Sequence, residues 1–169
     1  CDVVTGDRDL FQLVSDINDV RVISITKGVK NLEIVDDEYL DNRYGIIGEQ
    51  YADFSMLRGD PSDGLPGVKG IGEKGAAVIA NSFATAEEAL EAALAAHEAL
   101  PPALAKKIIA GADYLKIAPT LVRVARNAPL PKVDLSVPKA PADLSAIYQF
   151  KERYALGASV DRLISALGW

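Results

Sequence analysis

The stretch that most constrains this chain is residues 57–77, where two carboxylates precede a run of glycines. Asp60 and Asp63 are three residues apart, so a helical turn would place both on one face, within reach of one hard cation. Residues 67–72 then read GVKGIG, and a helix is expected to start near Glu73. Glycines tolerate positive φ and leave their amides open, so such a turn and helix start suit an anion. The stretch predicts a clamp for a nucleic-acid phosphate beside a metal site.

Each half of this stretch also has a purely structural explanation. The residues of Asp60–Gly64 are typical of a surface turn. The spacing is not that of a calcium-binding loop. A hairpin with this glycine pattern can also bind DNA without cutting it. The direct adjacency of the two halves favours the combined functional interpretation.

A second acidic pair lies near the start of the chain. Val3–Thr5 is a short apolar run that predicts a buried strand of a parallel sheet. Ligands of such sheets bind beyond the carboxyl ends of the strands, where Asp7 and Asp9 fall. Helical turns are expected over 9–14, with Leu10, Leu13 and Val14 facing inward. The alternative is that Asp7 only caps these turns.

These two stretches carry a resemblance to a known family. Residues 59–74, GDPSDGLPGVKGIGEK, resemble the helix–three-turn–helix signature of the 5′-nucleases, which include flap endonucleases and the 5′→3′ exonuclease domain of bacterial DNA polymerase I. Residues 5–14, TGDRDLFQLV, are similar to the strand-end segment that carries two metal-binding aspartates in that family. The resemblance covers essentially the whole chain. It implies an α/β fold, with a PIN-like parallel sheet portion followed by a helical region with the DNA-binding motif at 59–82.

The resemblance also implies a function and a set of site residues. The function is that of a structure-specific 5′-nuclease, acting on 5′-flaps and nicked or gapped DNA in replication and repair. Two Mg²⁺ or Mn²⁺ ions would serve hydrolysis, and in relatives a potassium ion can sit in the glycine turn. The residues implied are Asp7, Asp9, Asp60 and Asp63 for the divalent metals, the carbonyls of Gly67, Val68 and Ile71 for potassium, and Lys69, Gly70, Gly72 and Lys74 for DNA.

Two positions depart from the family pattern. Gly64 stands where an asparagine is usual, which removes a side-chain hydrogen bond from the metal loop. Gly75 stands where a threonine is usual, which lowers helix propensity by roughly 0.5–1 kcal/mol and removes one phosphate-binding hydroxyl. Neither position is a metal ligand, so the departures concern the strength of binding more than the mechanism.

The chain order predicts three parts. Residues 1–46 are the C-terminal part of the α/β nuclease core, residues 47–127 are helical, and residues 128–169 are a proline-rich extended segment with closing helices packed on the core. Within the second part, residues 112–126 are expected to be helical, with Pro119 kinking or dividing the helix. The only methionine is Met56 and the chain opens on a strand, so we expect an N-terminal segment of the same nuclease domain to precede it. The resemblance implies that this segment holds the remaining acids of the site, so this piece alone would cleave little.

Charge and composition limit which partners and which compartment the chain suits. The net charge of −6 is unevenly spread, with 13 acids and 6 bases in residues 1–60 and 11 acids and 12 bases in residues 61–169. The acidic half suits metal ions and the later half suits phosphates. No apolar run is long enough to span a bilayer and no signal peptide is visible, so a cytoplasmic monomer is expected. The lone cysteine excludes an internal disulfide.

Two alternatives stay open at this point. One is a DNA-binding module of helix–hairpin–helix type that is catalytically silent. The other is a related nuclease that prefers RNA. The first predicts that loss of Asp60 leaves every activity unchanged, and the second would be visible when RNA and DNA flaps are digested side by side.

Overall fold

One small sheet and nine helices make up the fold, which a computed structural model describes for residues 1–169. The strands β1 (Asp2–Thr5), β2 (Arg21–Ser24) and β3 (Glu33–Val35) pair in the order β1-β2-β3. β1 runs parallel to β2, with Val3 opposite Val22, whereas β3 is antiparallel to β2, with Val22 opposite Val35. The predicted α/β class is confirmed, and the parallel arrangement holds for the β1–β2 pair only. The expectation of a buried strand at residues 3–5 was wrong, since Val4 is 63% exposed and Val3 and Thr5 are only partly buried.

The connection from β1 to β2 is short and consists of two 3₁₀ turns, Arg8–Leu13 and Asp16–Asn18. Phe11 and Gln12 of the first turn and Val14 directly after it are buried, while Leu10 and Leu13 are only partly buried. A 3₁₀ helix has three residues per turn, so Phe11 and Val14 share a face. The expectation of an inward Leu10 and Leu13 assumed the α-helical period and was wrong in part.

The helices that follow contain most of the remaining chain up to residue 122. A 3₁₀ turn at Gly48–Gln50 lies between the first and second of these helices, and another at Pro61–Asp63 lies between the second and third. The helices are α1 (Asp37–Tyr44), α2 (Tyr51–Arg58), α3 (Glu73–Ser82), α4 (Ala86–Leu94), α5 (Pro102–Ala110), α6 (Ala112–Leu115) and α7 (Ala118–Val122).

Helix α2 lies at the centre of this part of the chain. Every residue from Tyr51 to Leu57 is buried, and a helix buried all round is a core helix. The ring of Tyr51 meets Phe11 edge-on at a centroid distance of 5.2 Å, which joins α2 to the turn after β1. Helix α3 packs against α2 through the buried Ala76 and Ile79. The end of α2, at Arg58, is therefore held rigidly where the acidic loop begins.

The predicted helix over 112–126 is divided, as its proline suggested. Helix α6 ends at Leu115 and α7 begins at Ala118, so that Pro119 falls in the first turn of α7, where a missing N–H is tolerated. Helix α7 already ends at Val122, and residues 123–126 are not helical.

Residues Asn127–Trp169 form a second compact unit, distinct from Cys1–Arg126. Residues 128–142 contain neither helix nor strand. Helix α8 (Leu144–Arg153) begins after Asp143, whose side chain accepts the Ala146 amide at 2.9 Å, and α9 (Ala158–Leu167) ends at Gly168 in the left-handed conformation. No helix of the structure combines the length and the apolar character needed to cross a membrane.

Candidate functional site

The first acidic corner lies directly after β1. The Asp7 side chain accepts the Asp9 amide at 3.0 Å and so caps the 3₁₀ turn, while the Asp7 amide donates to the Thr5 hydroxyl at 3.0 Å. Asp7 is exposed and Asp9 is partly buried. The capping role considered for Asp7 is therefore real. It leaves both carboxylates at the carboxyl edge of the β1–β2 pair.

The second acidic corner is a closed loop after α2. Asp60 and Leu65 exchange two backbone hydrogen bonds, of 3.0 and 2.9 Å, which close the loop around the 3₁₀ turn. The Asp60 carboxylate accepts the amide and the hydroxyl of Ser62. Asp60 is only 3% exposed, whereas Asp63 is exposed. A 3₁₀ turn is present at Pro61–Asp63, but Asp60 precedes it in an extended conformation and is held inward, whereas Asp63 is open to solvent.

Arg8 joins the two corners, although 52 residues separate it from Asp60. Its guanidinium Nη2 donates to Asp60 Oδ2 at 3.0 Å and Oδ1 at 3.3 Å, and to the Ser62 hydroxyl at 3.3 Å. Arg8 stands between Asp7 and Asp9 in the sequence, so its contact with Asp60 brings the strand-end corner against the loop corner.

The two buried or half-buried carboxylates have opposite pKa shifts. Burial raises the pKa of Asp9, and the negative charges of Asp63, Asp7 and Asp60 raise it further, against the opposing effect of Arg8. Burial also opposes the ionisation of Asp60, but hydrogen bonds from Ser62 and the charges of Arg8 and Arg58 lower its pKa overall. The negative charge of the site is thus balanced at Asp60 and unbalanced at Asp9.

The chemistry of these side chains fits a hard divalent cation. Carboxylate oxygens are the ligands that Mg²⁺ and Mn²⁺ prefer, and the uncompensated charge around Asp9 would be relieved by a cation. No three acidic, histidine or cysteine side chains are already gathered around one point where an ion would lie. In the structure as it stands, the guanidinium groups of Arg8 and Arg58 hold Asp60 instead.

Arg58 is the second cation of the site and was not singled out from the sequence. Its side chain is 16% exposed and lies over the ring of Phe54 at 4.9 Å. One guanidinium nitrogen is 3.6 Å from Asp60 Oδ2 and another is 3.8 Å from Glu73 Oε2. Arg58 therefore connects the acidic loop with the first residue of α3.

The glycine turn is held against the acidic loop by backbone contacts. The Val68 amide donates to the Leu57 carbonyl and the Ile71 amide to the Val68 carbonyl, each at 2.9 Å. Val68 and Ile71 are buried, whereas residues 69 and 70 between them and residue 72 after them are exposed. The four residues expected at DNA, Lys69, Gly70, Gly72 and Lys74, are all exposed. Neither Lys69 nor Lys74 forms an ion pair. The carbonyls of Gly67, Val68 and Ile71 lie on the same turn, and that of Val68 already accepts one amide.

Gln12 is a further residue that the sequence did not reveal. It is 4% exposed, and its side-chain amide donates to the carbonyls of Asp9 at 2.7 Å and Val122 at 3.0 Å. Its side-chain oxygen accepts the Val124 amide at 3.0 Å. Gln12 therefore fixes the acidic turn to the end of α7. A polar residue inside an apolar turn was the only available signal.

Comparison with known sequences places this architecture among nucleases. The sequence model of one protein family, described as the C-terminal SAM fold of the 5′-3′ exonuclease, matches residues 46–143. A 5′-3′ exonuclease of Streptomyces coelicolor is 46% identical over 167 residues, covering 98% of this chain and 55% of the relative. A 5′-3′ exonuclease of Mycobacterium tuberculosis is 37% identical over 175 residues, covering 98% and 54%. The chain thus spans about half the length of these two curated relatives.

Solved structures show the same fold. The bacteriophage T5 5′-exonuclease aligns with a TM-score of 0.56 at 21% identity, covering 72% of this chain and 46% of that chain. The T5 flap endonuclease, in a pseudo-enzyme-product complex with DNA and metal ions, aligns with a TM-score of 0.56 at 20% identity, covering 72% and 42%. At such identities the likeness concerns the fold alone.

Proposed function

Since the chain belongs to the 5′-3′ exonuclease family, we propose that it carries part of the active site of a divalent-metal-dependent 5′-nuclease that hydrolyses DNA phosphodiesters. The observation that carries this proposal is the contact of Arg8 with Asp60 at 3.0 Å. It joins two acidic corners that are remote in sequence at the carboxyl edge of the β1–β2 pair, where ligands of such sheets bind.

In this proposal Asp7, Asp9, Asp60 and Asp63 would hold two Mg²⁺ or Mn²⁺ ions. When bound, such ions stabilise the attacking water and the leaving 3′-oxygen of an in-line displacement, which leaves a 5′-phosphate and a 3′-hydroxyl. The contribution of the chain is to keep the ligands charged and in place. The hydrogen bonds from Ser62 and the two arginines keep Asp60 ionised, and Gln12 fixes the backbone that carries Asp9.

The glycine turn and α3 would form the helix–three-turn–helix element that holds the duplex. Gly70 and Gly72 are exposed and are close in sequence to the unpaired ammonium groups of Lys69 and Lys74, a combination of backbone amides and charge that suits phosphate. A potassium ion held by carbonyls of residues 67, 68 and 71 would add one more positive charge. Such contacts read the shape of the DNA and not its sequence, so we propose 5′-flaps and nicked or gapped duplex as substrates, in replication and repair.

One observation favours a second function, that of a DNA-binding module without catalysis. The carboxylates are not gathered around a point that an ion could occupy, and two arginines already neutralise Asp60. A chain that only grips DNA would need the glycine turn and not the acids.

Metal binding separates the two functions. The thermal unfolding of the chain is followed with and without Mg²⁺ or Mn²⁺, for the native chain, Asp60→Asn and Asp9→Asn, and 5′-flap cleavage is assayed in parallel. The nuclease proposal expects the cation to raise Tm of the native chain and to raise it less in both variants. The half-exposed Asp9 keeps the test valid if the Asp60 variant does not fold.

The matched control is Asp113→Asn, whose carboxylate is 99% exposed and belongs to α6. This control should respond to the cation like the native chain. Equal stabilisation of the native chain and both site variants, or none at all, would support the silent module. Digestion of RNA and DNA flaps side by side tests the preference for DNA.

A further inference from the structure

Helix α5 is seated directly on the glycine turn by three close approaches. A Cβ on Gly111 would lie 3.0 Å from Val68 Cγ1, and a Cβ on Gly75 would lie 3.4 Å from Leu104 Cδ2. Gly70 faces the side chain of Lys107, with its would-be Cβ 3.3 Å from Cε. These contacts fix the register of α5 against the turn, so the packing of α5 determines where Lys107 lies.

The ammonium group of Lys107 is held at the exposed part of the turn. Its Nζ donates to the Gly70 carbonyl at 2.7 Å, and Gly70 itself is exposed with φ +83°. An ammonium has three donors, and this hydrogen bond uses one of them. No carboxylate forms an ion pair with Lys107, so its full charge remains available.

We propose that Lys107 is a phosphate-contacting residue of the same DNA-binding surface, delivered from α5 and positioned by the Gly70 carbonyl. The inference rests on the proposed function, since it extends the grip of the glycine turn. A side chain that is already ordered loses less rotamer entropy when it meets a phosphate than a free lysine does. Lys107 adds a third cation to Lys69 and Lys74, from an element 33 residues or more along the chain.

Lys106 offers a matched control next to it in the sequence. Successive residues of an α-helix point about 100° apart. Lys106 is exposed and lines an apolar groove with His97 and Ile109, away from the glycine turn. It forms no ion pair either, so the two lysines differ in position and not in charge.

The competing explanation is that Lys107 only supports the turn through its hydrogen bond to Gly70. Substitution by glutamine separates the two, because Lys107→Gln retains an N–H donor and most of the stem but removes the charge. Lys107→Arg keeps both a donor and the charge. A supporting role depends on the hydrogen bond, whereas phosphate binding depends on the charge.

The experiment measures the affinity of the chain for a fluorescent nicked duplex by anisotropy, over a series of KCl concentrations, with thermal unfolding in parallel. We expect Lys107→Gln to reduce the slope of log K against log salt by about 0.9, the value for one lost phosphate contact, and to weaken binding by about three- to tenfold at moderate salt. Lys107→Arg and Lys106→Gln should keep the native slope. A native slope for Lys107→Gln overturns the inference.

Lys69→Gln and Lys74→Gln distinguish a wrong role for Lys107 from a failure of the proposed DNA binding by the glycine turn. If these two variants reduce the slope of log K against log salt and Lys107→Gln does not, DNA binding by the glycine turn is supported and only the role of Lys107 is wrong. If no variant changes the slope, or the native chain does not bind the duplex, both DNA binding by the glycine turn and the role of Lys107 are wrong.

Discussion

Gly59 and Gly67 lie against each other with no room for a side chain on either. A Cβ on Gly59 would lie 2.8 Å from the Gly67 nitrogen, and a Cβ on Gly67 would lie 2.6 Å from the Gly59 nitrogen. Both have positive φ, +83° and +67°. The contact joins the start of the acidic loop to the start of the glycine turn, so the proposed metal and phosphate sites share one piece of backbone.

The first prediction concerns this contact. Gly67→Ala should destabilise the chain by about 3 kcal/mol or more, since the methyl group would meet backbone atoms that cannot move aside. The control is Gly64→Ala, at a similar φ of +72° but with nothing within 4 Å of the added carbon. That variant should lose only about 1–2 kcal/mol from the left-handed backbone. Urea unfolding of both variants provides the measurement, and equal losses would contradict the close approach.

The second prediction concerns Gln12. Gln12→Leu should lower the free energy of unfolding by about 2–3 kcal/mol, because the Val122 carbonyl and the Val124 amide lose their partner. It should also weaken any stabilisation by Mg²⁺, since the Asp9 backbone loses its anchor. Gln149→Leu, on the exposed surface of α8, should change stability by less than about 0.5 kcal/mol. Chemical denaturation with and without Mg²⁺ tests both effects. A metal response equal to that of the native chain would show that Gln12 does not position Asp9.

The third prediction concerns Arg8 as a competitor of metal. Arg8→Met removes a cation from Asp60 and from the neighbourhood of Asp9, so the metal-free chain should lose about 1 kcal/mol, a small value because the Arg8 side chain is 44% exposed. The rise in Tm on adding Mg²⁺ should then exceed that of the native chain. Arg21→Met, which breaks the exposed pair with Asp2, serves as the control and should leave the rise unchanged. A smaller rise in Arg8→Met would mean that Arg8 assists the cation instead.

The fourth prediction concerns acid stability. Arg123 donates to Glu87 at 2.8 and 2.6 Å and to the buried Asp53 at 2.8 Å. Burial opposes the ionisation of Glu87, but the hydrogen bonds and charge of Arg123 lower its pKa below the ordinary 4.5. The pair should therefore stabilise the folded chain fully above pH 4.5, and the contribution should vanish as the pH falls through the lowered value.

Glu87→Gln tests this dependence. Its unfolding free energy should differ from that of the native chain above pH 4.5, by less than about 1 kcal/mol since the Glu87 side chain is 45% exposed, and converge with it in acid. Glu91→Gln, an exposed position of α4 without an ion pair, should follow the native curve throughout. Parallel curves for Glu87→Gln and the native chain would rule out the linkage.

The sequence was informative wherever the signal is local. The capping aspartate at 7, the turn at residues 60–64, the start of α3 at Glu73 and the proline that divides 112–126 are each set by neighbouring residues. Gly75, which stands where the family usually has threonine, lowers the helix propensity of α3 itself, but the space it leaves is used by a residue from a distant part of the chain. Gly75 lacks the usual side chain at a point where α3 lies against Leu104 of α5.

The partners of the site residues could not be predicted in this way. The contacts of Arg8 with Asp60, Gln12 with Val122 and Lys107 with Gly70 span 52, 110 and 37 residues. Each depends on how the helices pack, and no periodicity in one segment encodes it. The antiparallel strand β3 is different, because it follows β2 through a short turn at residues 27–28, which is a local hairpin signal in the sequence.

The two arginines at Asp60 have a consequence for whether the chain can fold without bound metal. A cluster of acids that must await metal would repel itself during folding, whereas here Arg8 and Arg58 neutralise the most buried carboxylate from within the chain. Under the proposed function, the fold can therefore assemble before any ion binds. A chelator should then return Tm of the Mg²⁺-treated chain to that of the metal-free chain without unfolding it, and returning the ion should restore the gain in Tm.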